Sequence, residues 1–120
     1  MKRNWDAIRM ILMKVEEQPC PVFELYPVDF APLDEQTTVY QLRLLLQAGL
    51  IEGEFSVLIG GAQAVTVTGL TWSGHELLDA LRSPKTWNMI RGMAVKKGLD
   101  LSFDAIGILA RTVVESLVKG

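Results

Sequence analysis

The apolar positions near the N-terminus repeat with the period of an amphipathic helix. From Trp5 to Val15 an apolar residue recurs every three or four positions, and the charged residues between them face the other way. Asn4, just before this segment, is a suitable N-cap residue. The pattern predicts a helix over residues 5–18, which Pro19 ends because proline cannot continue the hydrogen-bonded ladder.

A second segment of helical period begins near Asp34 or Thr37 and runs to Ala48, after a proline-rich, irregular stretch over residues 20–33. Gly49 follows it and can adopt the left-handed conformation that ends a helix. The residues predicted to form its buried stripe are Val39, Leu42, Leu45 and Leu46.

The period then changes to two. Residues 55–59 and 64–68 predict two short strands joined by a turn at 60–63, and residues 22–25 could add another short strand. Residues 55–74 carry no charge, but their glycines and polar residues favour a hairpin over a membrane span. Charged residues also interrupt the apolar N-terminal segment, so we expect a soluble, cytoplasmic protein without a signal peptide and without a membrane partner.

Three more helices are predicted after the hairpin. The first has Ser73 at its start and Glu76 three residues later, the pattern of a capping box. The second begins at the Ser83–Pro84 pair, a cap followed by proline at the first helical position, and ends at Gly98. The third spans about residues 102–119.

Helix, short strand, helix and hairpin, in this order, are the parts of a winged helix, with residues 36–49 in the recognition-helix position and 60–63 as the wing. The helix that normally precedes the recognition helix is not visible in the proline-rich stretch. The predicted fold is α+β and mostly helical. It has a winged-helix core over residues 1–82 with a two-stranded hairpin wing, and additional C-terminal helices over residues 83–120 packed on the core as a single compact domain.

The amino-acid composition excludes several kinds of functional site. The 120 residues are 49% hydrophobic and 22% charged, which is typical of one globular domain with a real core. One cysteine excludes an internal disulfide framework and a cysteine-based zinc cluster, and one histidine excludes a site with several histidine ligands. We therefore predict no metal and no cofactor.

The nucleophile and base candidates favour structural roles. Ser73, His75 and Glu76 stand together at one helix start, where adjacent side chains diverge and capping already explains the serine and the glutamate. We expect His75 to be a partly buried polar anchor between wing and helix. Cys20 lies between two prolines with no basic residue close in sequence, so an inert thiol is expected. No catalytic arrangement emerges, and the protein is predicted not to be an enzyme.

The charge distribution argues against DNA. Residues 1–14 carry a net charge of +3, residues 15–81 carry −9, and residues 82–120 carry +4. The helix in the recognition position and the wing both lie in the acidic part, which a duplex repels. Residues of this helix that could contact DNA or a protein partner are Thr37, Thr38, Gln41, Arg43 and Gln47.

The last predicted helix is apolar over a wide arc. Its most regular stripe, with a spacing of three or four residues, is Phe103, Ile106, Ala110, Val113 and Leu117. A helix of this kind either packs across a core or is buried in a partner. We expect it to form a homodimer interface.

Three stretches together resemble a known family: residues 1–12, residues 40–53, and residues 70–82 with Trp87 downstream. They look like the bacterial and phage family called domain of unknown function 2513. The Leu-Thr-x-x-Gly step at residues 70–74 also recurs among winged-helix regulators. The resemblance implies a winged-helix-like protein of phage or mobile-element origin and implies no particular activity.

These observations predict a non-enzymatic interaction or regulatory module whose acidic winged-helix face binds an unidentified protein. The alternative is a winged-helix transcriptional regulator that reads DNA with residues 36–49. Replacement of Arg43 by alanine separates the two hypotheses, because only the second requires that cation.

Overall fold

The computed structural model describes residues 2–98 and 102–119; within the last helix it leaves out the side chains of residues 114 and 116–119. This part of the chain contains five α-helices and a two-stranded antiparallel sheet, which confirms the α+β class. In chain order the elements are α1 (Trp5–Glu16), a 3-10 helix (Pro27–Phe30), α2 (Glu35–Gln47), β1 (Ile51–Val57), β2 (Gln63–Leu70), α3 (Trp72–Arg82), α4 (Pro84–Lys97) and α5 (Phe103–Lys119).

The chain divides into two compact units, Met1–His75 and Glu76–Gly120, and the division falls within α3. In the first unit α1, α2 and the sheet pack on one another. Its buried apolar side chains include Ile8, Ile11, Leu12, Leu25, Phe30, Leu42, Leu45, Ile51, Val65 and Val67. The predicted organisation into residues 1–82 and 83–120 stays a prediction.

Local side-chain caps set the starts of the first two helices, and of these the Asn4 cap was predicted from the sequence. The Asn4 side chain accepts a hydrogen bond from the N–H of Ala7 at 3.1 Å. The Asp34 carboxylate accepts from the N–H groups of Gln36 at 3.0 Å and Thr37 at 3.3 Å. Each cap satisfies N–H groups that the first helical turn leaves without a backbone partner.

The sheet begins earlier than predicted. β1 starts at Ile51 instead of residue 55, and a register shift between Glu52 and Gly53 marks a bulge that the alternation of side chains does not reveal. The strand predicted at residues 22–25 is reduced to one bridge, in which Leu25 and Val67 exchange two backbone hydrogen bonds of 2.8 Å.

A 3-10 helix lies in the proline-rich stretch where no helix was predicted. The carboxylate of Asp29 accepts the N–H of Tyr26 at 2.8 Å, and the buried side chain of Phe30 anchors the helix to the core. The first unit thus has the order helix, 3-10 helix, helix and hairpin, followed by the start of α3. The winged-helix interpretation rests on this order and stays a prediction.

The cap of α3 is Thr71, so the predicted capping box at Ser73 and Glu76 is wrong. The Thr71 hydroxyl accepts the N–H of Gly74 at 3.1 Å and donates to the carbonyl of Gly49 at 2.6 Å. Ser73 already lies inside the first helical turn. The hydroxyl of Thr71 is preferred because it also holds the helix start to the loop after α2.

The second unit is built from the rest of α3 with α4 and α5, and the last two pack together. The predicted boundaries hold: Ser83 caps α4 ahead of Pro84, Gly98 ends it in a left-handed conformation (φ 66°), and Ser102 caps α5. The buried apolar side chains include Leu77, Leu78, Leu81, Trp87, Ile90, Ala94, Ile106, Leu109, Ala110 and Val113.

Candidate functional site

Two of the five residues predicted to contact DNA or a partner are buried. Gln41 is 1% exposed; its amide oxygen accepts the N–H of Asn4, and its amide nitrogen donates to the carbonyl of Lys2, both at 3.0 Å. Thr38 is 0% exposed and donates to the backbone carbonyl of Asp34 at 2.8 Å. Because these hydrogen bonds occupy both side chains inside the first unit, their assignment as contact residues is wrong.

The other three predicted contact residues lie at or near the surface of α2. Arg43 is exposed, and its guanidinium stacks over the Phe55 ring at 4.9 Å, a cation–π contact between α2 and β1. Gln47 is exposed, and Thr37 is half-buried with its hydroxyl donating to the Asp34 carboxylate. The outward side of α2 therefore offers one cation, which already lies on a ring.

A groove of about 590 Å³ lies between this side of α2 and the hairpin turn. Its lining residues are Glu35, Gln36, Val39, Tyr40, Arg43, Gly61 and Gln63. The lining combines one carboxylate and one guanidinium with an aromatic and an aliphatic side chain. This mixture of charged and apolar groups suits contact with a protein surface. A phosphate backbone would require several cations, and Arg43 is the single lysine or arginine among these lining residues.

The most distinctive surface is the tip of the hairpin. Val57, Leu58 and Ile59 are consecutive, with exposed fractions of 63%, 53% and 107%. The turn behind them is closed by hydrogen bonds from the Leu58 N–H to the Ala62 carbonyl at 2.6 Å and from the Gly61 N–H to the Leu58 carbonyl at 2.9 Å. We call these three side chains the wing tip. Its turn is closed by backbone hydrogen bonds while its adjacent apolar side chains face water, and such exposed apolar patches are typical of contact surfaces.

The charges nearest to the wing tip along β1 are acidic. Glu52 and Glu54 are both exposed, and neither makes an ion pair with a residue that the structure describes. We call these two glutamates together with the wing tip the wing surface. It contains no lysine or arginine, so it is apolar at its end and negative along its strand.

Cys20 and His75 line one cleft in the first unit, together with Glu16 and Glu52. Sequence reasoning treated the two residues separately and expected His75 to be partly buried; it is exposed, as are Ser73 and Glu76. The thiol of Cys20 is exposed as well. Across residues 2–98 and 102–119 no group of three or more His, Cys, Asp or Glu side chains is placed to hold a metal ion.

Three of the five residues of the stripe predicted as a homodimer interface are buried within the second unit. Ile106, Ala110 and Val113 are buried and Phe103 is half-buried, while the side chain of Leu117 lies outside the described residues. α5 packs against α4, and this packing uses the apolar arc that the sequence suggested for a partner. Ile106, Ala110 and Val113 are therefore not available to a second copy in this conformation, and dimerisation through α5 stays a prediction.

Another exposed surface lies on α4. Its outward positions are Lys85, Asn88, Gly92, Val95 and Lys96, and we call them the α4 face. Val95 is 83% exposed, and the whole helix carries four basic residues and no acidic one. Sequence reasoning missed both this face and the wing tip. The sequence does contain an indication of each surface. For the α4 face it is Val95 within a basic segment, and for the wing tip it is the run of three apolar residues just before the Gly60–Gly61 turn.

In the part of the chain that the structure describes, no helix combines the length and the apolar character needed to cross a membrane.

Comparison with known proteins gives two matches. A family described as "Hypothetical protein (DUF2513)" matches residues 2–100. A protein of Haemophilus influenzae named "Uncharacterized protein" is 42% identical over 119 residues, which cover 98% of this chain and 99% of that protein. Neither description names an enzyme activity.

Proposed function

Because the chain belongs to the DUF2513 family, whose description names no reaction, we propose its function from its surfaces: a non-enzymatic interaction and regulatory module that binds another protein through the wing surface. The proposal keeps the winged-helix interpretation of the first unit. The phage or mobile-element origin that the resemblance implies is part of the same hypothesis.

The observation that carries this proposal is the exposed, uncharged wing tip. Burial of apolar surface yields roughly 25 cal/mol per Å², so three adjacent exposed aliphatic side chains are a favourable centre for an interface. Two backbone hydrogen bonds close the turn that presents this centre. A partner therefore binds a largely preformed surface, with less conformational entropy lost on association.

The charges restrict the class of partner. Glu52 and Glu54 repel nucleic acids and anionic membranes, and no basic side chain in the hairpin offsets them. The same glutamates attract a surface that carries lysine or arginine around an apolar centre. The proposed partner is thus a protein with an apolar patch flanked by basic residues.

A DNA-binding regulator is the competing hypothesis, and exposed Arg43 and Gln47 support it. Two of the residues that it predicted to contact DNA, Thr38 and Gln41, are buried and cannot reach a duplex. The wing also carries no cation for the phosphate contacts that dominate DNA affinity. These two observations favour the protein partner.

Site-specific photo-cross-linking in cells tests the proposal. A photoreactive amino acid at Leu58 is expected to give adducts heavier than the chain that persist after nuclease treatment. The matched control is the same amino acid at Val28, an exposed valine of the 3-10 helix, which should give none. Absence of any Leu58 adduct contradicts the proposal, and an adduct removed by nuclease supports the regulator instead.

A further inference from the structure

The partner chemistry that the wing surface requires is present on the second unit of the same chain. We propose that the wing surface of one copy binds the α4 face of another copy, in a head-to-tail arrangement. This inference rests on the proposed function, because it names the partner of the same surface.

The α4 face has an apolar centre with cations beside it. Trp87, Ile90 and Ala94 are buried, so the opposite side of the helix points outward. Val95 lies on that side, about one turn after Gly92 and about two turns after Asn88.

Gly92 leaves this centre open to a neighbouring molecule. A Cβ atom added at Gly92 would meet no other atom within 4 Å. The strip around Gly92 and Val95 is therefore a shallow, apolar surface that an aliphatic side chain can approach closely. Lys85 and Lys96 are exposed on the same side of the helix and form its charged edge.

The wing surface and the α4 face are complementary both in their apolar centres and in their charges. The wing surface places aliphatic side chains at its end and glutamates along its strand, whereas the α4 face places a valine and a glycine between lysines. An apolar centre with charges toward the rim is the usual anatomy of a protein interface. Opposite charges at the rim select the relative orientation and speed association.

Two different surfaces on each copy make the interface heterologous. A copy that uses its wing surface still has its α4 face available, and the reverse also holds. Association of this kind continues into rings or open chains, unlike a symmetric dimer in which one patch faces itself. The arrangement therefore predicts species larger than a dimer at high protein concentration.

Sedimentation velocity on the full chain tests this inference. The mean mass of the wild-type protein should rise with concentration, and the rise should shrink when salt is increased from about 50 mM to about 500 mM, because the rim charges are screened. Leu58→Lys and Val95→Glu should each weaken self-association by roughly tenfold or more. Val28→Lys and Ile108→Glu introduce the same charges at other exposed apolar positions and should leave it unchanged.

Mixing the two variants provides the decisive comparison. The Leu58→Lys chain keeps its α4 face and the Val95→Glu chain keeps its wing surface, so an equimolar mixture should recover a complex that neither forms alone. Circular dichroism of each variant verifies that its helices are intact. Failure of the mixture to recover any complex, or equal loss in the two control variants, overturns the assignment of these faces.

Cross-linking from Leu58 separates this inference from the proposed function. An adduct between isotopically distinct copies that maps to α4 supports both. A wild-type chain that stays monomeric while Leu58 cross-links a different protein overturns the inference and leaves the proposed function standing. A monomeric chain with no Leu58 adduct overturns both, and a monomer whose α4 face instead binds a labelled DNA duplex overturns the inference.

Discussion

Gln41 holds the N-terminal segment to the middle of α2, since its amide oxygen accepts the Asn4 N–H and the distance between the two atoms is 3.0 Å. Asn4 in turn caps α1 through its own side chain. One buried amide thus connects the start of α1 to α2. A residue that hydrophobic periodicity assigns to a binding surface is in fact part of the packing between two helices.

We expect Gln41→Ala to lower the free energy of unfolding by about 1–3 kcal/mol, because the substitution leaves part-buried backbone groups of Asn4 and Lys2 without their partner. Urea denaturation followed by circular dichroism measures the change. Gln47→Ala, at an exposed position of the same helix, is the control and should alter it by no more than about 0.5 kcal/mol. Equal effects of the two substitutions would contradict the structural role of Gln41.

Gly74 is required by a close approach between α3 and the segment before β1. A Cβ atom at position 74 would lie 1.9 Å from the carbonyl oxygen of Leu50. Gly74→Ala should therefore destabilise the protein by about 2–3 kcal/mol, because backbone must move to admit the methyl group.

Gly107 provides the matched control for this prediction. It also lies within a helix, and a Cβ atom there would meet nothing within 4 Å. Gly107→Ala should stabilise the protein by about 0.5–1 kcal/mol, since alanine has the higher helix propensity. Thermal unfolding of both variants measures the two effects, and a shift of the same sign would refute the close packing at Gly74.

Sequence reasoning succeeded where the cause of a structure lies within a few residues. Asn4, Ser83 and Ser102 cap their helices as expected, and Gly98 ends α4. Each of these features depends on one side chain and the N–H groups next to it, or on the conformational freedom of one glycine. The absence of lysine and arginine from the hairpin could also be predicted, because it is a property of composition alone.

Prediction failed where a distant partner decides the outcome. Of the predicted buried stripe of α2, Leu42 and Leu45 are buried as expected, but Val39 and Leu46 are only half-buried. Thr38 and Gln41 occupy the buried side instead, since backbone carbonyls and an N–H group satisfy their polar atoms. Likewise Thr71 displaces Ser73 as the cap of α3 because it reaches the carbonyl of Gly49. The periodic pattern of apolar residues predicts neither of these contacts.

Asp34 should give the protein a measurable acid dependence of stability. The Thr37 hydroxyl donates to the Asp34 carboxylate and lowers its pKa below the ordinary 3.8, with the backbone N–H groups of Thr37 and Gln36 acting in the same direction. A pKa that is lower in the folded state means that the unfolded chain binds more protons. The stabilisation is therefore fully present above the unfolded pKa and is lost as the pH falls through the folded one.

Asp34→Asn isolates this effect, because asparagine keeps an oxygen that can cap α2 but carries no titrating charge. Between about pH 5 and about pH 2 the melting temperature of the wild-type protein should fall more steeply than that of Asp34→Asn. Glu35→Gln removes a neighbouring charge from the same helical turn and serves as the control. Parallel curves for the wild-type and Asp34→Asn proteins would show that the hydrogen bonds to Asp34 do not favour its charged form.

If the chain binds duplex DNA at all, that binding should not depend on Arg43. The guanidinium lies on the Phe55 ring, and the segment around it, residues 15–81, carries a net charge of −9. Binding of a labelled random duplex, measured by fluorescence anisotropy at about 50 mM salt, should change by less than about twofold in Arg43→Ala and in the control Lys14→Ala, which removes an exposed cation of α1. A loss of about tenfold in DNA affinity in Arg43→Ala alone would identify α2 as a DNA-reading helix. The affinity of this variant should then also depend less steeply on salt, by the amount expected for the loss of about one phosphate contact. That result would favour the regulator over the protein-binding module, because an exposed cation at the edge of a protein interface contributes little to affinity.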